Sequence, residues 1–152
     1  ILVNNFNFAM TGGQVAPTTP INATTTTTPY GSAEPPFDVC QLAVAAGATY
    51  VSRWNTSHGP QAIKAIKTAL SHPGFSLVEI VSQCPTHFGR YVLKSSNPAD
   101  LVKWIEDNSV MLREADKLTA EERAGKFVLG EFINIKRPVF TGSTIYKEGD
   151  NA

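Results

Sequence analysis

The opening residues of the chain combine amide side chains with paired glycines. An apolar run at 1–3 is followed by Asn4, Asn5 and Asn7, and then by the Thr-Gly-Gly-Gln turn at 11–14. The run predicts a buried strand, and oxygens at the carboxyl end of a strand lie where open α/β sheets bind ligands. Magnesium prefers such hard oxygen ligands, and adjacent glycines can offer backbone N–H groups to a phosphate. The pattern fits half of a metal-and-phosphate site, but these residues alone are more often an ordinary strand-to-loop turn.

A second group of candidate side chains follows other predicted strands. Cys84 comes just after the apolar segment 75–81, so we expect it at the same sheet edge as Asn5. A single cysteine is most often a small buried apolar residue, and the alternative is a thiolate ligand. The chain has no Cys-x-x-Cys, and Cys40 lies among apolar residues of a predicted helix, which indicates a core position. Arg53, at the end of a predicted strand, is suited either to an anionic ligand or to a structural ion pair.

Strands and helices alternate along the first part of the chain, after a long loop rich in Thr, Pro and Gly. This loop, 15–36, is either a flexible linker or an ordered extended segment, and we favour the ordered segment. The alternation predicts an α/β fold with a mostly parallel, doubly wound sheet. The predicted elements are a helix from Pro36 or Asp38 to Ala46, a strand at 48–53, a helix opening at Gly59 and stopping at Gly74, and a strand at 75–81.

Apolar spacing and capping residues predict how several helices are placed. Ile63, Ile66 and Leu70 form a stripe at helical spacing and are expected to face the core. Asn97-Pro98 predicts the start of a third helix, and Thr119 with Glu122 predicts a capping box. Residues 127–135 predict a final strand or extended tail, and the chain from Pro138 predicts a surface-following or partner-bound terminus. We divide the chain into an α/β part, 1–96, and a C-terminal helical extension and tail, 97–152.

Composition excludes several classes of partner. Thirteen basic and thirteen acidic residues give a formal net charge of zero, so no nucleic-acid or membrane surface is expected. No apolar run approaches the ~18 residues of a membrane span. Two cysteines are too few for a disulfide framework.

The segment 4–20 closely resembles the thiamine-diphosphate loop of the 2-oxoacid:ferredoxin oxidoreductase β subunits. The similarity is strong over about two-thirds of the chain, and within the family the chain looks most like the 2-oxoglutarate type, with the branched-chain type next. Further strings of the family appear in the same order at 29–31, 34–38, 47–54, 74–76 and 82–86.

The resemblance implies the C-terminal half of the thiamine-diphosphate-binding fold. Its metal motif pairs an upstream Gly-Asp-Gly with the Asn-Asn string, so Asn5 would ligate Mg²⁺ through its side chain and Asn7 through its backbone carbonyl. Thr11, Gly12 and Gly13 would line the diphosphate and active-site side of the loop. Some relatives carry a lysine in place of Gly12, so the residue that recognises the charge of the substrate stays open.

The resemblance also implies an iron–sulfur ligand. The family's β subunit carries one 4Fe-4S cluster, with three cysteines in its N-terminal half, and Cys84 matches the fourth. His87 would then either tune the cluster or be an ordinary solvated residue. No catalytic residue is assigned to this chain, because the glutamate that activates the cofactor is expected on another subunit.

The implied activity is the oxidative decarboxylation of a 2-oxoacid, with 2-oxoglutarate preferred, to acyl-CoA and CO₂. Electrons would pass to ferredoxin, and the partners would be the α subunit, other subunits, coenzyme A and the 2-oxoacid, in the cytoplasm. Because the family's Gly-Asp-Gly is missing, we interpret the chain as a C-terminal portion that is inactive alone. Two alternatives stay open: a thiamine-diphosphate enzyme that does not use ferredoxin, and a non-catalytic α/β interaction module.

Overall fold

A five-stranded sheet forms the centre of the computed structural model, which describes residues 1–139. Its strands, in chain order, are β1 (Leu2–Asn4), β4 (Tyr50–Asn55), β5 (Ser76–Val81), β6 (Ser109–Met111) and β7 (Phe127–Asn134), and a separate hairpin joins β2 (Asn7–Phe8) to β3 (Gln14–Val15). The order across the sheet is β1-β5-β4-β7-β6. β1, β5 and β4 are parallel, whereas β7 is antiparallel to β4 and parallel to β6. The α/β class and mostly parallel sheet predicted from the sequence are confirmed.

β1 is an edge strand, so the prediction of a buried opening strand is wrong for part of its length. Ile1 and Val3 are 72% and 65% exposed, and Asn4 at its end is buried. β1 pairs with β5 along one side only, and no strand of residues 1–139 covers its other side.

The helices begin at the capping residues that the sequence indicated. The Asp38 side chain accepts from the Gln41 backbone N–H, Pro60 lies in the first turn of the second helix, and the Asn97 side chain caps the third. Thr119 and Glu122 form the predicted capping box. The helices are α1 (Val39–Ala45), α2 (Gly59–Ser71), α3 (Pro98–Asp107), α4 (Leu112–Ala115) and α5 (Ala120–Arg123).

α2 faces the sheet with alanines, which corrects the predicted apolar stripe. Ala62 and Ala65 are buried against β4 and β5, whereas Ile63 is 56% exposed and Leu70 is 79% exposed. Ile66 does pack against the core as predicted. The space above the sheet is already filled by Tyr50 and Trp54, and only small residues let the helix approach closely.

Some elements had no clear sequence signal. A π-helix spans Pro85–Leu93 directly after Cys84, and the short elements β6 and α4 connect α3 to α5. The strand predicted at 48–53 instead occupies Tyr50–Asn55. The loop after β3 is ordered, as we favoured: Thr19, Thr25 and Ser32 are buried within it.

Aromatic residues close the end of the sheet where the amide string lies. The Phe6 ring stacks on Phe127 at 5.1 Å between centroids and lies 4.9 Å from Phe88, with Trp104 edge-on to Phe6. Phe6 and Phe127 come from opposite ends of the chain, and β6 and β7 belong to the same sheet as β1. The division at residue 96 stays a prediction.

No helix within residues 1–139 is long and apolar enough to cross a membrane. The predicted terminus from Pro138 falls almost wholly at 140–152, outside the described residues.

Candidate functional site

The carboxyl ends of β1 and β5 meet at one edge of the sheet, as the sequence predicted. Asn4 is in register with Val81, so the loop after β1 and the turn after β5 begin side by side. The loop carries Asn5 and Asn7, and the turn carries Cys84. Parallel pairing therefore brings the amide string and the thiol to the same place.

Asn4 is a structural residue. Its Nδ2 donates to Glu79 Oε1 at 2.8 Å, and its Oδ1 accepts from the Thr18 hydroxyl at 2.8 Å and from the Phe6 backbone N–H. Phe6 has a φ of 68°, a conformation unusual for a bulky residue. The bonds to Asn4 and the packing around the Phe6 ring hold this conformation.

Asn5 and Asn7 are linked to each other across the turn. Asn7 Nδ2 donates to the Asn5 backbone carbonyl at 3.2 Å, and the Asn7 backbone N–H lies 3.4 Å from Asn5 Oδ1. Asn5 is half-buried and Asn7 is buried. The Asn7 carbonyl accepts from the Ala9 backbone N–H and keeps a second lone pair. Two neutral oxygens are therefore close together and retain coordinating capacity.

The glycine turn has the left-handed conformation that glycine permits, with φ of 109° at Gly12 and 80° at Gly13. The expectation that these glycines offer N–H groups to a phosphate is not met in this structure. Gly12 donates to the Ala9 carbonyl and Gly13 to the Phe8 carbonyl. The backbone N–H of Thr11, in contrast, has no acceptor within residues 1–139.

Cys84 is buried at the start of the π-helix. Its Sγ lies 3.8 Å from Asn7 Oδ1 and 3.6 Å from the Thr86 hydroxyl. Burial alone would raise the pKa of the Cys84 thiol, but hydrogen bonds from the Phe88 backbone N–H, the Thr86 hydroxyl and the His87 backbone N–H lower it overall. These hydrogen bonds stabilise the thiolate, which is the form that binds metals, relative to that of an ordinary cysteine.

A buried ion pair underlies the site, and sequence reasoning did not single out one of its members, Glu79. Arg53 Nε donates to Glu79 Oε2 at 2.6 Å, and Arg53 Nη2 donates to Asp38 Oδ1 at 2.6 Å. Burial opposes the charge of Arg53, but Glu79 and Asp38 outweigh it and raise the pKa of the guanidinium. A carboxylate inside the apolar segment 76–81 was the available signal.

Of the two roles considered for Arg53, the structure shows the ion pair. The guanidinium is engaged by two carboxylates and by the Val128 carbonyl. With Asn4 and Trp104 it lines a cleft of about 310 Å³. Because each of its three nitrogens is already bonded, the residue is a support for Asn4 and β5 rather than a free anion-binding group.

No group of three or more His, Cys, Asp or Glu side chains comes together as a metal site in the described part of the chain. The donors at the sheet edge are two amide residues and one cysteine. They are incomplete sets for either a divalent cation or a cluster, as expected if the remaining ligands lie outside these residues.

Residues 1–80 match the family model "thiamine pyrophosphate enzyme, C-terminal TPP binding domain". This chain belongs to that family. The matched segment contains β1, the amide string, the glycine turn and Glu79, so the TPP-binding assignment covers most of the sheet edge described above.

The TPP-binding chain is also similar to named relatives. It is 49% identical over 140 residues to the 2-oxoglutarate synthase subunit KorB of Methanocaldococcus jannaschii, covering 92% of this chain and 52% of the relative. It is 46% identical over 138 residues to the KorB of Methanothermobacter marburgensis, covering 91% of this chain and 48% of the relative. The chain thus spans about half the length of the curated relatives it matches.

A solved structure has the same fold. The 2-oxoglutarate:ferredoxin oxidoreductase of Magnetococcus marinus, determined with 2-oxoglutarate, coenzyme A and succinyl-CoA bound, superposes with a TM-score of 0.71 at 30% identity. The match covers 90% of this chain and 47% of that chain. The resemblance to 2-oxoacid:ferredoxin oxidoreductase β subunits, and within them to the 2-oxoglutarate type, is confirmed.

Proposed function

We propose that this chain is the C-terminal part of the TPP-binding β subunit of a 2-oxoglutarate:ferredoxin oxidoreductase. The complex oxidatively decarboxylates 2-oxoglutarate to succinyl-CoA and CO₂ in the cytoplasm and passes electrons to ferredoxin. The observation that carries the proposal is the contact at the sheet edge, where Asn7 lies 3.8 Å from a Cys84 thiol whose pKa is lowered. The loop after β1 thus places the proposed Mg²⁺ ligands beside Cys84, the proposed ligand of an iron–sulfur cluster. The choice of 2-oxoglutarate as substrate is supported by the names of the similar proteins.

Asn5 and Asn7 hold Mg²⁺ in this proposal. The donor chemistry fits: both oxygens are neutral and hard, and each retains a free lone pair. The carboxylate that Mg²⁺ usually requires comes from outside residues 1–139.

The segment Thr11–Gly13 holds the diphosphate. The glycines give the turn its shape, and the Thr11 N–H, which has no acceptor among residues 1–139, is available to a phosphate oxygen. The Thr11 hydroxyl donates to Gln14 Oε1 at 2.6 Å and so links the first and last residues of the turn 11–14. When bound, thiamine diphosphate supplies the electron sink that decarboxylation of a 2-oxoacid requires.

Cys84 supplies one thiolate to a 4Fe-4S cluster. The two backbone N–H groups near its sulfur favour the charged form and are the kind of contact that sets the potential of such clusters. The other cysteines lie outside this chain, because Cys40, its second cysteine, is buried on the far side of Glu79.

The metal assignment is tested by thiamine-diphosphate titration of the complete complex at several Mg²⁺ concentrations. Asn5→Ala is expected to weaken the Mg²⁺-dependent affinity for thiamine diphosphate by more than about 10-fold. Mutation of a residue that only supports a metal ligand already weakens metal binding by about 10-fold or more, and loss of a ligand should cost more than that. Asn134→Ala, which removes an exposed amide at the end of β7, is the matched control and should bind like the wild type. Unchanged affinity in Asn5→Ala would show that the ligand assignment is wrong.

The cluster assignment is tested by iron and sulfide analysis and by the EPR spectrum of the reduced complex. Cys84→Ala should lose one cluster's iron and sulfide, whereas Cys40→Ala should keep the wild-type content. A wild-type complex without iron would instead support a thiamine-diphosphate enzyme that does not use ferredoxin.

A further inference from the structure

The His87 ring occupies the space beside Gly13. A Cβ atom added at Gly13 would lie 2.7 Å from both Cγ and Nδ1 of His87, closer than any real contact of this kind. The His87 ring also stacks against Tyr91 of the π-helix, with 6.3 Å between ring centroids and 9° between planes. The imidazole is therefore held between the π-helix and the glycine turn.

The same residue belongs to the π-helix that begins directly after the thiol. His87 lies three residues after Cys84 within Pro85–Leu93, and the Gly89 backbone N–H of this helix donates to the Cys84 carbonyl at 2.9 Å. The Nδ1 of His87 is buried and has no partner within residues 1–139, so the ring is held in this place by packing rather than by a hydrogen bond of that nitrogen. His87 thus contacts the glycine turn through its side chain and belongs to the helix whose first turn meets the sulfur, where the Thr86 hydroxyl lies 3.6 Å from Cys84 Sγ.

We infer that His87 is a positioning residue that couples the glycine turn to the Cys84 turn. The ring fixes the distance between the glycine turn and the π-helix, and the first turn of the π-helix fixes the position of the sulfur. A displacement of the turn is then transmitted to the environment of the sulfur. This inference rests on the proposed function, because it assigns the turn to the diphosphate and the sulfur to the cluster.

The contact between His87 and Gly13 means that substitutions at these two positions should affect each other. Gly13 has a φ of 80°, so any side chain there is strained whatever space surrounds it. With His87 in place, a side chain at Gly13 also meets the ring. In a His87→Ala background, a side chain at Gly13 still has the backbone strain but no longer collides with the imidazole ring. Comparison of Gly13→Ala in the two backgrounds therefore separates the strain from the collision.

The test uses the complete complex and four proteins: wild type, His87→Ala, Gly13→Ala and the double variant. Thiamine-diphosphate affinity is measured by titration, and the reduced cluster is measured by its EPR g values and reduction potential. His87→Ala is expected to weaken cofactor affinity several-fold and to shift the g values at unchanged iron content. Gly13→Ala is expected to be more harmful in the wild-type background than in His87→Ala, because only the wild type has the collision.

His72→Ala is the matched control, because it removes another half-buried histidine, one that bonds Thr49 at the end of α2 away from the turn. It should leave both the affinity and the g values unchanged. If His87→Ala binds the cofactor like the wild type and keeps its EPR spectrum, the inference is overturned while the proposed function stands. If Gly13→Ala is equally harmful in both backgrounds, the ring does not constrain the turn. A wild type that binds no thiamine diphosphate would overturn the proposed function instead.

Discussion

Single residues at this site divide between those that support the loop and those that remain available to a ligand. Asn4 and Asn5 are adjacent and chemically identical, yet Asn4 uses its amide for Glu79, Thr18 and Phe6, whereas Asn5 keeps coordinating capacity. Sequence composition alone does not separate the two. The difference comes from β1, which directs Asn4 into the sheet and leaves its neighbour in the turn.

Loss of the Glu79 charge should destabilise the protein strongly. Glu79→Gln leaves Arg53 buried with only the half-exposed Asp38 as an ionic partner, and an uncompensated buried charge costs about 3–5 kcal/mol. Denaturant unfolding measures this cost. Lys103→Met breaks the exposed pair with Asp107 on α3 and should cost less than about 1 kcal/mol, so equal effects of the two variants would contradict the assigned burial.

Cys40 should be unreactive in the folded protein. Burial raises the pKa of the Cys40 thiol well above the usual range. The nearby Arg53 lowers this pKa but does not offset the effect of burial, and Glu79 adds to it. The folded state therefore favours the neutral thiol. Its contribution to folding stability is complete below the ordinary thiol pKa of about 8.5, and it is lost as the pH rises from that value towards the raised pKa. Iodoacetamide at pH 8 should modify Cys40 only after unfolding in urea, as mass spectrometry can show, and rapid labelling of the folded chain would refute the prediction.

The secondary-structure elements show where sequence patterns suffice and where packing decides. Caps at Asp38, Asn97 and Thr119 are local hydrogen bonds, and each predicted its helix start correctly. The buried face of α2 was predicted wrongly, because hydrophobic spacing favours large residues and does not register how little room Tyr50 and Trp54 leave. The π-helix had no clear signal, because a wider turn after Cys84-Pro85 depends on what it packs against.

Enlarging an inward alanine of α2 should therefore be costly. Ala65→Leu inserts three carbons against the core beneath the helix and should destabilise by about 1–3 kcal/mol, measured by thermal or denaturant unfolding. Ile63→Ser, two residues earlier on the exposed face, should stay within about 0.5 kcal/mol. The reverse ranking would mean that the helix buries the face predicted from hydrophobic spacing.

At the scale of the whole molecule, the sequence predicted the fold class and the meeting of two strand ends, because both follow from parallel pairing. The reversal of β7 and its insertion between β4 and β6 were not predictable, since an isolated apolar strand does not indicate its direction. The structure places Asn5, Asn7 and Cys84 at one sheet edge as predicted, and their roles as ligands stay a prediction. The bonded state of the Gly12 and Gly13 N–H groups and the role of Glu79 needed the structure.

Under the proposed function, Arg53 does not determine the preference for a 2-oxoacid. It is occupied by two carboxylates and so is not available to bind a substrate carboxylate. With 2-oxoglutarate, pyruvate and 2-oxoisovalerate as competing substrates, coenzyme A-dependent product formation should show the highest kcat/KM for 2-oxoglutarate. A higher value for 2-oxoisovalerate would instead favour the branched-chain type. The Arg53→Lys complex, if folded, should retain the wild-type order of substrates.

The position of β7 has a consequence for biosynthesis. Tyr50 pairs with Asn134, so the middle of the sheet stays incomplete until a segment made much later has left the ribosome. Until then β4 presents an unsatisfied row of peptide groups to the surrounding solution, and closing so long a stretch of chain is entropically slow. A nascent polypeptide halted before this strand should consequently bind chaperones and be degraded by proteases, whereas one released after it should resist both.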